Sequence, residues 1–159
     1  MAFNIAPCGF SLGAALVTSI VKYEDRITCF LDLLGFKNHI AASTYADGTD
    51  SIEKISALAA AFNSMRQILD TDRPDSRLGN EVTQFSDSVV ISFQAATNSG
   101  VFDVLLHIMW VQASLVFHGI LCRGGIARGK LVHTSTLLFG PALLDAYALE
   151  SQAALYRCH

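Results

Sequence analysis

Two carboxylates stand at places where a chain seldom puts one without a purpose. Asp32 is the single charged residue in "CFLDLLGF", Cys29 to Phe36, and Asp87 sits between two serines in "FSDSVVISF". An unpaired charge inside an apolar strand is costly or is neutralised by protonation, so Asp32 needs a compensating group. No Arg or Lys follows Arg26 in its own run. If the strand of Asp32 and the hairpin of Asp87 are neighbours, both carboxylates reach one edge of a sheet, where they repel unless a cation lies between them. Two hard oxygen donors with open coordination positions suit Mg²⁺ or Mn²⁺ when the ion also holds nucleotide phosphates. The plain structural alternative makes Asp87 a turn-capping aspartate and Asp32 a satisfied one.

The elements that must position these groups follow from the apolar periodicity. Arg26 to Leu34 reads as a buried central strand ended by Gly35, and a helical stretch follows from about Asn38 to Tyr45. Asp50 and Glu53 form a capping box, and Ile52, Ile55, Leu58, Ala59, Phe62, Met65 and Leu69 recur at helical spacing on one face. "EVTQFSDSVVISF" reads as two strands joined at "SDS". Phe102 to Phe117 is apolar enough for a well-buried helix. "GILCRGGIARGKLVH" reads as two strands around glycines, and Phe139 to Ala154 as a last helix. This order predicts an α+β fold, an antiparallel-rich sheet with helices packed on one face.

Composition limits the functions such a fold can serve. With 159 residues, 52% hydrophobic and 16% charged, the chain suits one domain whose core is large or is partly a subunit interface. A net charge of -3 without basic clusters disfavours a nucleic-acid partner. Cys8, Cys29, Cys122 and Cys158 show neither a CxxC pair nor metal-ligand spacing, which fits a reduced, cytoplasmic protein. Residues 1–22 form an apolar extension ahead of a domain over 23–159. That extension has no basic n-region, and its apolar part is shorter than the roughly 20 residues a bilayer span needs, so no membrane role is expected. His107 follows Asp103 by one helical turn and is expected to pair locally. His39, His118, His133 and His159 lack metal-ligand spacing and receive no role. "GGIARG" lacks the GxGxxG pattern, which removes a dinucleotide-binding reading.

"FLDLLGF", "FSDSVVISF", "RGGIARG" and "FGPALLDAYALES", in that order, resemble the class III nucleotidyl cyclase catalytic domain over about Ile27 to Ser151. The variant they resemble most is the bacterial pyrimidine cyclase of Pycsar anti-phage systems. The resemblance implies a ferredoxin-like palm with Asp32 and Asp87 as metal ligands for two Mg²⁺ or Mn²⁺ ions. It also implies a homodimer with sites between subunits, and cyclisation of a nucleoside triphosphate by its ribose 3′-hydroxyl with loss of pyrophosphate. The product would be a second messenger. Positioning and charge neutralisation supply most of the acceleration in such chemistry.

Departures from the family pattern sharpen the expectation. Where purine cyclases carry the base-selecting lysine this chain has Thr83, and its aspartate partner falls on Leu137. The pocket is therefore expected to read a pyrimidine, UTP in preference to CTP. The transition-state asparagine and arginine fall on Leu144 and Ala148. Arg123 and Arg128 are then the expected catalytic cations, because a guanidinium clamps phosphate oxygens bidentately. Lys130, the backbone N–H groups of Leu33, Leu34, Gly35 and Phe36, and Tyr147 are expected at the substrate, although Tyr147 also reads as a core aromatic beside Leu143 and Leu144. The absent donors equally fit a degenerate cyclase-like sensor. A palm polymerase shares the two aspartates, but its Gly-Gly-Asp-Asp turn is absent. The resemblance also implies further strands past "LES", hence a truncated sheet with an open edge.

Overall fold

The computed structural model describes residues 21–69, 79–95 and 98–153. The expectations for residues 1–20 and for the chain past residue 153 fall outside the described residues. The elements run β1 (Glu24–Leu34), α1 (Phe36–Ala41), α2 (Ile52–Leu69), β2 (Glu81–Phe85), β3 (Ser88–Gln94), α3 (Asn98–Phe117), β4 (Leu121–His133), β5 (Leu138–Phe139) and α4 (Pro141–Ala153). They build one five-stranded sheet in the order β2-β3-β1-β4-β5, antiparallel at every pairing. The first four strands with their helical crossovers are the ferredoxin-like palm expected from the sequence.

Alternation along β1, the central strand, sorts the sheet into two faces. Ile27, Cys29, Leu31 and Leu33 join Ile91 and Phe93 of β3 in a core closed by Met65 of α2 and by Val104, Ile108, Val111 and Leu115 of α3. Burying each such side chain stabilises the fold by about 1.5–3 kcal/mol. Thr28, Phe30 and Asp32 point to the other face, where α4 lies against β4 and β1. The helices are therefore not confined to one face, as the sequence had implied. The small residues of α4 explain this placement, since Ala142 and Ala146 are fully buried and let its backbone come close. Gly125 on β4 completes the fit. A Cβ there would run into the Ala146 carbonyl oxygen and stand 2.8 Å from the Cβ of Leu149.

Other boundaries differ from the sequence reading for local reasons. Residues 121–133 form one strand, because β4 stays in register with β1 from Leu121 to Leu131 straight through its glycines. The first helix starts earlier, at Phe36, since Gly35 takes a left-handed φ of 71° that turns the chain at once. Asp50 lies in a bridge with Thr44, and α2 begins after Ser51. Ala61, Met65 and Leu69 form its buried stripe, whereas Ile52 and Ile55 are exposed. The α3 helix is buried along one stripe only. Phe102, Leu105, Met109, Trp110, Val116 and Phe117 are exposed, because the sheet and α2 give α3 no second surface. No helix among the described residues is long and apolar enough to cross a membrane.

Candidate active site

Asp32 stands in register between Ser88 of β3 and Arg123 of β4, so the partner that its strand lacked comes from the neighbouring strand. Arg123 Nη2 lies 3.1 Å from Asp32 Oδ2, and Arg123 Nε donates to Glu150 Oε1 of α4 at 2.5 Å. The Glu150 side chain is almost fully buried, while Asp32 and Arg123 are partly open to solvent. Asp87, in the turn between β2 and β3, is held by its carbonyl, which accepts from the Leu33 N–H at 2.8 Å. Its charge is felt at Asp32. Burial pushes the Asp32 carboxyl above its ordinary value, Arg123 pulls it down, and Glu150 and Asp87 push it up again. Two carboxylates thus share one guanidinium, and the charge of a third, Asp87, acts on Asp32.

A cavity of about 400 Å³ opens on the same face, with Ser88, the register partner of Asp32, in its lining. Phe30, Ser88, Val90, Leu144 and Tyr147 line it together with Thr83, at the position of the missing lysine. Tyr147 is half exposed and meets Phe30 edge to face, ring centroids 5.3 Å apart, so it is not the core aromatic of the alternative reading. Leu138 reaches the cavity wall, whereas its neighbour Leu137 does not.

The remaining expected residues are not gathered at this cavity. Arg128 lies five residues beyond Arg123, roughly 17 Å along β4, and at opposite parity in the strand. It pairs in solvent with Asp25, Nη2 to Oδ2 2.8 Å. Lys130 lies roughly 23 Å along the same strand, opposite Asp25. Of the backbone donors, the Leu33 N–H is already engaged by Asp87. Gly35 and Phe36 open α1, whose first N–H groups have no intrahelical partner.

Two side chains to which the sequence reading gave no part stand at the site. Glu150 continues the buried series Ala142, Ala146, Glu150, and a carboxylate at a buried helical position was its legible signal. His133 had no such signal. It is the last residue of β4, where Nδ1 lies 2.8 Å from Ser92 Oγ and Nε2 lies 2.9 Å from Thr83 Oγ1. Burial and the nearby Arg26 charge push its imidazole down to about 4, so it is neutral at physiological pH. His107 does bond locally, through Nδ1 to the Asp103 carbonyl at 2.7 Å.

The antiparallel palm with its flanking helices is a cyclase-like fold. A bacterial light-regulated adenylyl cyclase has a similar structure, with TM-score 0.57 and 18% identity over 83% of this chain and 40% of that one. The likeness is one of fold, and the chain spans less than half of that protein's length. No protein-family model matches the chain, and no curated protein matches it.

Proposed function

We propose that the chain is a metal-dependent nucleotidyl cyclase that converts a pyrimidine nucleoside triphosphate, UTP in preference to CTP, into a 3′,5′-cyclic nucleotide and pyrophosphate. The observation that carries this reading is the cavity lined by Thr83 and by Ser88, the cross-strand partner of Asp32, together with an Asp32 carboxyl that feels the charge of Asp87. A homodimer would close that cavity, and the product would serve as a second messenger in anti-phage defence inside the cell.

The donor set fits Mg²⁺ or Mn²⁺. Asp32 and Asp87 offer hard oxygens, and the surplus of carboxylates over Arg123 leaves the site negative. Among the described residues no cluster of three or more His, Cys, Asp or Glu side chains could hold an ion alone, so triphosphate oxygens would complete the shell. Bound there, the ions would neutralise phosphate charge and favour the 3′-alkoxide. The chain's own contribution is placement. Asp32 and Asp87 would hold the cations against which the polyphosphate end is placed, the first turn of α1 offers N–H donors, and Arg123 can turn from Asp32 toward phosphate once the carboxylate is otherwise engaged. The base lies in the cavity against Phe30 and Tyr147, with no cationic side chain to read a purine edge.

A second reading has its own observation. Arg123 is tied to two carboxylates, and Leu144 and Ala148 replace the transition-state donors, which suits a degenerate cyclase-like domain that binds nucleotide as a sensor. Incubation with each of the four ribonucleoside triphosphates and Mn²⁺, followed by mass analysis, separates the two. Cyclic UMP or cyclic CMP supports the enzyme. Retained but unconverted nucleotide supports the sensor, and efficient cyclic AMP or cyclic GMP formation refutes the pyrimidine assignment.

A further inference from the structure

A polar chain runs beneath the cavity to Thr83, and every link in it is buried until the last. Arg26 is 3% exposed, Ser92 0% and His133 5%. Arg26 Nε donates to Ser92 Oγ at 2.8 Å. That direction is fixed, because a guanidinium has no acceptor. Arg26 is itself immobilised by Glu24 at 2.7 Å and by the Gly79 carbonyl at 2.5 Å.

The next link follows from the first. Ser92 Oγ has one hydrogen to give, and His133 Nδ1 is 2.8 Å away. The alternative ring form would aim an Nδ1–H at an oxygen already accepting from a cation, and would point its positive end toward Arg26. A hydroxyl polarised by a charged donor is in turn a stronger donor. Nδ1 therefore accepts, the ring hydrogen resides on Nε2, and Nε2 donates to Thr83 Oγ1 at 2.9 Å. With its oxygen engaged as acceptor, the Thr83 hydroxyl turns its own hydrogen into the cavity that Thr83 lines.

We propose that Arg26, Ser92 and His133 form a one-way hydrogen-bond relay that fixes Thr83 as a donor in the base pocket, so that the pocket takes a carbonyl oxygen there and disfavours an amino group. His133 acts as a positioning residue and Thr83 as the reader. This rests on the cyclase-site reading above and adds the basis of its preference. The distance suits the far edge of a pyrimidine. Thr83 pairs with Val90, two residues beyond the partner of Asp32, and lies two strands over. That places it roughly 12 Å from Asp32 on standard sheet spacings, at the pole of the base opposite the ribose. Uracil presents O4 there and cytosine an amino group. Because the surrounding wall is apolar, a donor facing a donor finds no other partner.

The test uses the full chain with 3′-deoxy-UTP and 3′-deoxy-CTP, which lack the attacking hydroxyl and so report binding alone. Nitrogen NMR of ¹⁵N-histidine-labelled protein reads the ring form in parallel. The expected results are an Nε2-protonated His133 and binding of 3′-deoxy-UTP about tenfold tighter than 3′-deoxy-CTP. Thr83→Val should erase most of that ratio and Thr83→Ser should keep it. Ser92→Ala, which frees the ring, should reduce it without touching the pocket. An Nδ1-protonated ring, equal or reversed affinities, or a ratio unchanged in Thr83→Val would overturn the relay while leaving the cyclase site standing. If neither analogue binds, the nucleotide-site reading fails and the relay's assigned role fails with it.

Discussion

At the scale of single residues, what distinguishes Asp32 from a structural carboxylate is the company it keeps. An aspartate paired with one arginine is a closed account of charge, but Glu150 shares that arginine and Asp87 adds a further negative charge. Removing Asp87, in an exposed turn, should abolish cyclic nucleotide formation while leaving the melting temperature of Asp87→Ala close to that of the unmodified chain. Asp32→Asn should also abolish product, with the fold retained because amide and guanidinium still coexist there. Base choice follows the same logic. Thr83→Lys alone should not create an efficient adenylyl cyclase, since no carboxylate stands at Leu137 to orient the new cation. His133 makes a different prediction, on stability. Its folded imidazole titrates near 4 instead of 6.5, so unfolding takes up a proton within that window. Stability contributed by the neutral ring is complete above about pH 6.5 and is lost as pH falls toward 4, by about 3 kcal/mol in all. Denaturant titrations at pH 7 and pH 4.5 should show that loss in the unmodified chain, and a clearly smaller one in His133→Gln. Equal losses would mean that other groups carry the acid sensitivity.

At the scale of elements, the site depends on how closely α4 approaches the sheet. Gly125 has no room for a side chain beneath Ala146 and Leu149, and Glu150 reaches Arg123 only because α4 sits that low. Gly125→Val should lift the helix, break the Glu150–Arg123 pair and cost about 1–3 kcal/mol, on the scale of other overpacked cores. Chemical denaturation measures it, and an unchanged midpoint would mean that α4 does not pack as described. The sequence made this element visible as a helix but not as the cover of the second sheet face. Periodicity marks which side of a helix is apolar, and α4 is apolar nearly all round, so its pattern carries no direction. The same ambiguity led α3 to read as a well-buried helix, when only Val104, Ile108, Val111 and Leu115 are buried. By contrast β1, the "SDS" hairpin and α2 were legible because each has a sharp period and a turn signal at its end. That Asp32 lies in a strand and Asp87 in a hairpin turn was legible from the first two of these. Arg123, Glu150 and His133 could not be assigned to partners, because their contacts cross strands that are far apart in sequence, and only register decides which side chains meet.

At the scale of the whole molecule, 52% hydrophobic composition has to be reconciled with a single five-stranded sheet. Much of the apolar surface is not consumed by the core. Phe85 is 81% exposed and Leu144 68% at the rim of the cavity, and α3 carries a second exposed row. Contiguous apolar surface of this kind marks an interaction face on a soluble chain. The rim of the cavity is the face expected to pair, since a second copy there would cover Phe85 and Leu144 and close the pocket over the base, as an isologous interface between identical patches can. Light scattering after size exclusion should then give a mass about twice 17.2 kDa. If the rim is the pairing face, Phe85→Glu and Leu144→Glu should each shift the chain to monomer and lower cyclic nucleotide formation together with nucleotide affinity, because the same contact would both join the subunits and complete the site. Trp110→Glu, on the outer row of α3, should leave mass and activity unchanged. If instead Trp110→Glu dissociates the dimer and the rim variants do not, the pairing face lies on α3, and each cavity must bind its nucleotide without help from a second subunit.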